Sequence, residues 1–374
     1  SKLLTQNIEN GAAQAMLYSL GLTKEDFKKN QVGIGSVYYE SNPCNCKLNI
    51  LSDKVKYSLK NNPNFLPFKF NTVGISDGIS MGTSGMNYSL PSRDLIADSI
   101  ETIVNGHHYD SLITIPACDK NLPGCMIAHL RCNRPGFMIY GGAMKPNNYE
   151  NELLDVVSAF ESYGKYIKND ISKSQRENII KNSCNKDCGS CSGLYTANTM
   201  ASILEVMGFM LPNSSTNPSL SNEKFSEISN SSKTLDNLVN LDLKPLDIIK
   251  KESFYNAIKL LYILGGSTNA VIHLLAIAKT ANIDLEINSF NEFSNIPILA
   301  NIKPHGTNMM YHLYKIGGLS VLLKYLIEIN IINGDLITIT GNSIKKNVEK
   351  YDDIDFSNQN VIYNYNTPFK KSSH

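Results

Sequence analysis

Short apolar runs recur in the first part of the chain, and stretches of helical spacing lie between them. The runs predict strands at QVGIGSVY (31–38), FNTVGI (70–75), SLITI (111–115) and GFMIYGG (136–142). Between them, DKVKYSLKN and SRDLIADSIETIVNG place apolar residues three and four positions apart, as amphipathic helices do. Pro91 and Ser92 are a typical helix start for the second of these. This alternation predicts an α/β fold in which helices flank a parallel sheet in three layers.

Helical spacing dominates after residue 150. The predicted helices are NELLDVVSAFESYGKYI (151–167), GLYTANTMASILEVMGFML (193–211), ESFYNAIKLLYILGG (252–266) and STNAVIHLLAIAKTANI (267–283). The Ser- and Asn-rich patch in residues 229–247 soon returns to apolar spacing, so it does not indicate a domain boundary. After about residue 342 the chain becomes polar and Asn-rich. We therefore predict one domain over residues 1–345 and a linker over residues 346–374 that leads toward a further domain.

Charge and hydropathy make several classes of partner unexpected. Lys plus Arg number 35 against 34 Asp plus Glu, so no basic excess is present to neutralise a nucleic-acid backbone. Lys259 and the pair Gly265 and Gly266 interrupt the long apolar stretch 257–278, so no membrane span is predicted. The first residues lack the basic-then-apolar order of a secretory signal, and we expect a protein that is not secreted.

The eight cysteines cluster in a way that indicates metal or cluster chemistry in a reducing compartment. Cys44 follows the first predicted strand, Cys118 follows a later one, and Cys191 precedes a helix. Strand ends gather on one edge of a parallel sheet, so these distant residues are expected to converge there. Three thiolates suit an iron-sulfur cluster with one iron open to a substrate oxygen. Any one of them taken alone is equally consistent with a buried structural thiol.

Oxygen ligands lie beside these cysteines in the sequence. Asp77 occupies a Gly-rich turn, GISDGISMGTSGM, and Asp119 directly follows Cys118. Carboxylates of this kind suit Mg²⁺, which commonly keeps positions for water or substrate. A tight turn capped by an aspartate is an equally good interpretation of Asp77. Lys120, next to Asp119, is either part of the same site or a surface amine.

The remaining cysteines and the histidines are expected to have other roles. Cys184, Cys188 and Cys191 form a C-x3-C-x2-C pattern that is compatible with zinc, but no fourth Cys or His stands close in the sequence. We therefore do not expect ligands at Cys46, Cys125, Cys132, Cys184 and Cys188. The histidines, which include His107, His108, His273 and His305, are expected to be structural or exposed.

Taken together, these stretches resemble the dihydroxy-acid and sugar-acid dehydratase family. The matching motifs are NPCN (42–45), SDGISMGTSGMNYSLPSRDLIADS (76–99), CDKNLPGCMIA (118–128), NRPGFMIYGG (133–142), CGSCSGLYTANTMASILEVMG (188–208) and GGSTNAVIHLLAIA (265–278). The resemblance runs from near residue 5 to the end of the chain.

The resemblance implies a set of cofactors and their ligands. The implied cluster ligands are Cys44, Cys118 and Cys191, and the implied magnesium ligands are Asp77, Asp119 and Lys120, the last after carbamylation. NPCN resembles the members that carry a 2Fe-2S cluster rather than a 4Fe-4S cluster. A free lysine is cationic and repels Mg²⁺, whereas its CO₂ adduct is an anionic oxygen ligand. Loss of water from a 2,3-dihydroxy acid needs a Lewis acid at the 3-hydroxyl, a second cation at the carboxylate and 2-hydroxyl, and a base for the C2 proton.

The implied reaction is dehydration of 2,3-dihydroxyisovalerate and 2,3-dihydroxy-3-methylvalerate to 2-oxo acids, in valine and isoleucine biosynthesis. The alternatives are a sugar-acid dehydratase of the phosphogluconate type and a non-catalytic homologue that binds a cluster. In the family, a β-rich barrel domain follows and supplies a glutamate ligand and the serine base. Neither has a counterpart before His374, so the isolated chain is expected to be inactive. The family further implies a homodimer, in the bacterial cytoplasm or in an organelle after processing.

Overall fold

A parallel sheet lies at the centre of the computed structural model, which describes residues 1–371. Its strands are β1 (Asn30–Ser36), β2 (Phe65–Asn71), β3 (Ser111–Ile115) and β4 (Gly136–Met138). They lie in the order β2-β1-β3-β4 and all pair in parallel. Ser36 is in register with Ile115, so β1 and β3 end side by side. The loops that follow these two strands therefore start from the same edge of the sheet.

Helices make up most of the rest of the chain. In the first half they are α1 (Lys2–Gln6), α2 (Gly11–Ser19), α3 (Leu48–Lys60), α4 (Asp77–Ser80), α5 (Ser89–Gly106), α6 (Asn121–Cys132), α7 (Val156–Ile167) and α8 (Lys173–Asn182). In the second half they are α9 (Thr196–Val206), α10 (Asn222–Ser229), α11 (Ser231–Asn240), α12 (Pro245–Ile248), α13 (Lys251–Leu264), α14 (Asn269–Thr280), α15 (Met310–Lys315), α16 (Gly318–Glu328) and α17 (Ile344–Val348). Short 3-10 helices occupy Ile8–Asn10, Asp26–Lys28, Ser84–Tyr88 and Ile287–Phe293. Among the helices of residues 1–371, none combines the length and the apolarity that crossing a bilayer requires.

The central strands are apolar because helices cover the sheet. Val32 and Ile34 in β1 and Leu112 and Ile113 in β3 are completely buried, as expected for parallel strands that are covered on both faces. Helix α3 packs on β1 and β2, α6 packs on β4, and α5 lies along α6. The predicted class, a parallel sheet flanked by helices, is confirmed.

Two strand predictions need correction. The second strand covers Phe65–Asn71 rather than 70–75, and it contains Pro67. Proline cannot donate to a ladder, but it is tolerated in an edge strand, and β2 lies at the edge of the sheet. The fourth strand ends at Met138, although Ile139 and Gly141 still donate hydrogen bonds to carbonyls of the chain segment around β3 (3.0 and 2.9 Å).

The helix predicted over residues 151–167 begins later, at Val156. A hairpin precedes it, in which β5 (Asn147–Tyr149) pairs antiparallel with β6 (Glu152–Leu154). Glu150 and Asn151, which join these strands, both have positive φ (50° and 66°), as two-residue hairpin turns require. Glutamate is an unusual residue in such a turn, so the sequence carried little signal of the hairpin.

Residues 346–371, which we predicted to be a linker, are docked on the rest of the chain. Val361 and Ile362 are buried in a second hydrophobic cluster together with residues of α16. Ala300 forms an antiparallel bridge with Ile362, and Ile298 forms another with Lys370. The last three residues of the predicted linker lie outside the described residues, and the role of the segment as a linker stays a prediction.

A buried charge network holds the loop between α9 and α10. Lys224 is completely buried, and its Nζ donates to Glu227 Oε2 (2.7 Å) and to the Ser214 carbonyl (2.9 Å). Glu205 accepts from the backbone N–H groups of Asn213 (2.7 Å) and Ser215 (2.8 Å). Burial raises the pKa of Glu205 to about 7. These buried side chains fix the backbone of a loop that has no regular secondary structure.

Replacement of Lys224 tests how strongly the fold depends on this network. Lys224→Met leaves the Glu227 carboxylate buried without its cation, which is expected to lower the free energy of unfolding by about 3–5 kcal/mol. Lys346 forms an ion pair with Glu349 at the same i,i+3 spacing, but both side chains are exposed. Lys346→Met is therefore the matched control and should leave the denaturation midpoint almost unchanged. Equal effects of the two substitutions in urea denaturation would contradict this interpretation.

Candidate metal centre at the carboxyl ends of β1 and β3

A cavity of about 650 Å³ opens where β1 and β3 end. All the candidate ligands line it, namely Cys44, Asp77, Cys118, Asp119, Lys120 and Cys191. Cys44 lies in the loop between β1 and α3, and Cys118 to Lys120 lie between β3 and α6. The sheet therefore brings together residues that are far apart in the sequence, as the strand-end argument predicted.

Three buried asparagine side chains join the loop of Cys44 to the loop of Cys118. Asn42 Nδ2 donates to Asn45 Oδ1 (2.7 Å), and Asn45 Nδ2 donates to Asn121 Oδ1 (2.9 Å). Asn121 Oδ1 also accepts from the backbone N–H of Cys118 (3.0 Å). At the other end, Asn42 Oδ1 accepts from the N–H of Cys44 (3.3 Å). This asparagine chain, as we call Asn42, Asn45 and Asn121, runs from one cysteine backbone to the other.

Hydrogen bonds of neighbouring residues position Cys191, the third cysteine. Ser190 donates a side-chain hydrogen bond to the carbonyl of Ala117, and the N–H of Gly189 donates to the Pro43 carbonyl (3.0 Å). Gly189 has φ of +124°, and a Cβ there would lie 2.7 Å from the backbone nitrogen of Met144. Only glycine fits at this position. The turn that carries Cys191 is thereby hydrogen-bonded to the loops of both other cysteines.

The three cysteine side chains meet at Cys44. The neighbouring thiols of Cys118 and Cys191, together with burial, raise the pKa of the Cys44 thiol well above its usual range. None of the three forms a disulfide. Within residues 1–371, no three His, Cys, Asp or Glu side chains already stand in a metal-binding arrangement. Its buried position beside the other two thiols therefore favours the protonated form of the Cys44 thiol.

An ionic cluster lies beside the thiols. Asp77 opens α4; its Oδ1 accepts from Ser89 Oγ (2.6 Å), and its Oδ2 accepts from Lys120 Nζ (2.6 Å). Lys120 is buried, so it is not the surface amine that was the alternative. Burial and the nearby charge of Asp77 raise the pKa of Asp119 to about 6, against the opposing effect of Lys120. Soft sulfur donors and hard oxygen donors therefore lie next to each other.

The rest of the cavity wall is mainly apolar. Its apolar side chains are Pro43, Ile79, Met81, Met86, Leu90, Met144, Val156, Val157, Phe160 and Ile272. Lys120 is the one Lys or Arg side chain among the lining residues of the described chain, and it is already paired with Asp77. The cavity thus offers metal-ligating groups and a large hydrocarbon surface, with hydroxyl and amide groups among the lining residues, including Ser76, Ser192, Thr196 and Asn269.

Several residues of the site were not singled out from the sequence. Asn45 and Asn121 belong to the motifs NPCN and CDKN, but nothing in the sequence shows that they hydrogen-bond each other. Tyr195 Oη donates to Asp155 Oδ2 (2.5 Å) at the cavity wall. Cys184, which we did not expect to be a ligand, also lines the cavity.

Comparison with known proteins gives a consistent result. The family model described as dihydroxy-acid/6-phosphogluconate dehydratase N-terminal matches residues 29–347. A dihydroxy-acid dehydratase of Francisella tularensis subsp. novicida is 47% identical over the whole chain, which covers 66% of that protein. A mitochondrial dihydroxy-acid dehydratase of Aspergillus fumigatus is also 47% identical, with 62% of its length covered, and one of Cytophaga hutchinsonii is 46% identical, with 66% covered.

The chain therefore spans slightly less than two thirds of the length of these relatives, while its own length is matched completely. The match to the family model covers most of the chain and includes all six candidate ligands. The resemblance seen in the motifs is confirmed, and the chain belongs to the dihydroxy-acid/6-phosphogluconate dehydratase family.

Proposed function

We propose that this chain is the cluster- and magnesium-binding part of a dihydroxy-acid dehydratase, a hydro-lyase of valine and isoleucine biosynthesis. Its substrates would be 2,3-dihydroxyisovalerate and 2,3-dihydroxy-3-methylvalerate, and its products the corresponding 2-oxo acids. The observation that carries the proposal is the single cavity that Cys44, Cys118 and Cys191 line together with Asp77, Asp119 and Lys120. The names of the relatives support the same reaction.

Cys44, Cys118 and Cys191 fit a 2Fe-2S cluster. They line one cavity, and thiolates are the donors that iron-sulfur clusters take. Three protein ligands leave one iron position for a substrate oxygen. The asparagine chain and the Ser190 hydrogen bond hold the three backbones in place, and loading the site requires loss of the thiol protons.

Asp77, Asp119 and Lys120 fit Mg²⁺ once Lys120 is carbamylated. As an ammonium, Lys120 already neutralises Asp77, which leaves little attraction for a divalent cation. Addition of CO₂ to the neutral amine replaces this positive charge by an anionic oxygen ligand beside two carboxylates. Ser89 holds the other oxygen of Asp77 and so keeps that carboxylate oriented toward the site.

The residues of the chain contribute binding, orientation and exclusion of water. When bound, the cluster and Mg²⁺ supply Lewis acidity to the leaving 3-hydroxyl and to the carboxylate with its 2-hydroxyl, respectively. The apolar wall, including Ile79, Phe160 and Ile272, contacts the branched hydrocarbon end of the substrate and keeps water from it. We assign no base for the C2 proton among residues 1–371.

The composition of the wall favours a branched-chain substrate over a phosphorylated sugar acid. A sugar acid with a phosphate group would need a cation that is free to pair with the phosphate. The lining residues offer mostly hydrocarbon, and their one lysine, Lys120, is already committed to Asp77. We further propose a homodimer that acts on this small molecule, not on nucleic acid or membrane, in the bacterial cytoplasm or in an organelle.

The cluster ligands are tested by substitution with serine. Anaerobically reconstituted protein is expected to be coloured, and serine at Cys44, Cys118 or Cys191 should each remove most of the visible absorption, because a hydroxyl is a poor ligand for iron. Cys46→Ser and Cys184→Ser are the matched controls. The first lies two residues from Cys44 and the second lines the same cavity, and both variants should keep the colour. A coloured triple variant that lacks all three ligands would contradict the assignment.

The substrate is tested by turnover of the protein expressed from its complete reading frame and loaded with cluster and Mg²⁺. The 2-oxo acid released from 2,3-dihydroxyisovalerate and from 6-phosphogluconate is measured at equal concentrations. We expect a much larger kcat/KM for the branched acid, since each hydrocarbon contact stabilises it by about 1 kcal/mol. A preference for 6-phosphogluconate would favour the sugar-acid alternative, and absence of turnover with either would favour the non-catalytic homologue.

A further inference from the structure

Two further cysteines, Cys46 and Cys188, lie on adjoining loops next to the candidate cluster site. Cys46 lies two residues after Cys44, and Cys188 lies three residues before Cys191. Burial, together with the hydrogen bond to the thiol of Cys188, raises the pKa of Cys46 to about 11. Both thiols are free and partly exposed, so reagents in solution can reach them.

Hydrogen bonds to the Pro43 carbonyl bring the loop of Cys46 and the loop of Cys188 together. The Pro43 carbonyl oxygen accepts from the thiol of Cys46 (3.7 Å) and from the N–H of Gly189 (3.0 Å), which is the neighbour of Cys188. Cys188 has φ of +65°, a left-handed conformation that turns the chain at this point, and its thiol lies 3.5 Å from the Lys186 carbonyl. The loops of Cys46 and Cys188 are therefore joined at the Pro43 carbonyl, beside both cysteines.

We propose that Cys46 and Cys188 form a reversible disulfide, an oxidative modification that fastens the loop of Cys44 to the turn of Cys191. The oxidant is a small disulfide such as oxidised glutathione. One cysteine thiolate attacks it, releases one glutathione thiol and forms a mixed disulfide. The second cysteine thiolate then displaces the other glutathione. The pair loses two electrons and two protons, and the oxidant's S–S bond is reduced to two thiols.

The modification does not consume the candidate cluster ligands. Cys44, Cys118 and Cys191 remain available, because the disulfide uses only the two neighbouring thiols. The disulfide would hold the loop of Cys44 and the turn of Cys191 together. Because Cys46 and Cys188 are far apart in the sequence, the bond would also reduce the conformational entropy of the unfolded chain. This inference does not rest on the proposed function, since neither Cys46 nor Cys188 is a candidate cluster ligand.

Peptide mapping tests the proposal directly. The full chain is equilibrated anaerobically with oxidised glutathione, free thiols are alkylated, and the protein is digested with trypsin without reduction. Cleavage after Lys47 and Lys186 places Cys46 in the peptide 30–47 and Cys188 in the peptide 187–224, whereas Cys184 leaves in a separate small peptide. We expect the two larger peptides to be linked, with fragmentation that assigns the bond to Cys46 and Cys188.

Serine variants show which cysteines form the disulfide. Cys46→Ser and Cys188→Ser should each lose the linked peptide, and the matched control Cys184→Ser should keep it. Alkylation of both thiols in the wild-type chain, or a link that persists in either of the first two variants, would overturn the proposal. The oxidised wild-type chain should also melt at a higher temperature than the reduced chain, and this shift should vanish in Cys46→Ser. Equal melting temperatures of the two forms would show that the bond does not fasten the loops.

Discussion

The hydrogen bond between the side chains of Asn45 and Asn121 is the interaction on which the site depends. It joins the loop after β1 to the start of α6, and through Asn42 and the backbone of Cys118 it reaches both cysteine loops. Both side-chain atoms of the buried Asn45 amide are paired, and because a buried amide is expensive to leave unpaired, this residue holds one arrangement. The parallel sheet brings the two loops to the same edge, and the asparagine chain fixes their relative position there.

This constraint explains why two kinds of candidate ligand share one cavity. The Cys118-Asp119-Lys120 segment presents sulfur, carboxylate and amine within one turn, between a strand end and a helix start. Asp77 adds a second carboxylate to the cavity, and Cys44 and Cys191 add two further thiols. A reaction that needs a Lewis acid on a leaving hydroxyl and another on the neighbouring carboxylate requires such adjacent sites.

Much of this arrangement could be predicted from the sequence. β3 was predicted with its exact bounds, because a buried parallel strand is a continuous apolar run, and the strand-end argument placed Cys44 and Cys118 together. The predicted position of β2 was wrong because Pro67 argues against a strand at residues 65–71. Only the sheet order shows that β2 lies at the edge of the sheet, where proline is tolerated. The hydrogen bond of Asn45 and the joining of the loops of Cys46 and Cys188 arise from tertiary structure, for which the sequence has no local signal.

The most direct test of the account is paramagnetic resonance on protein that holds a reduced cluster, with Mn²⁺ in place of Mg²⁺ and ¹³C-labelled bicarbonate in the buffer. We predict that Mn²⁺ broadens the cluster signal, because Cys118 and Asp119 are adjacent, and that Mn²⁺ shows a ¹³C coupling from the carbamate on Lys120. A cluster signal that is unaffected by bound Mn²⁺, with no ¹³C coupling, would contradict the claim that the two centres share this cavity.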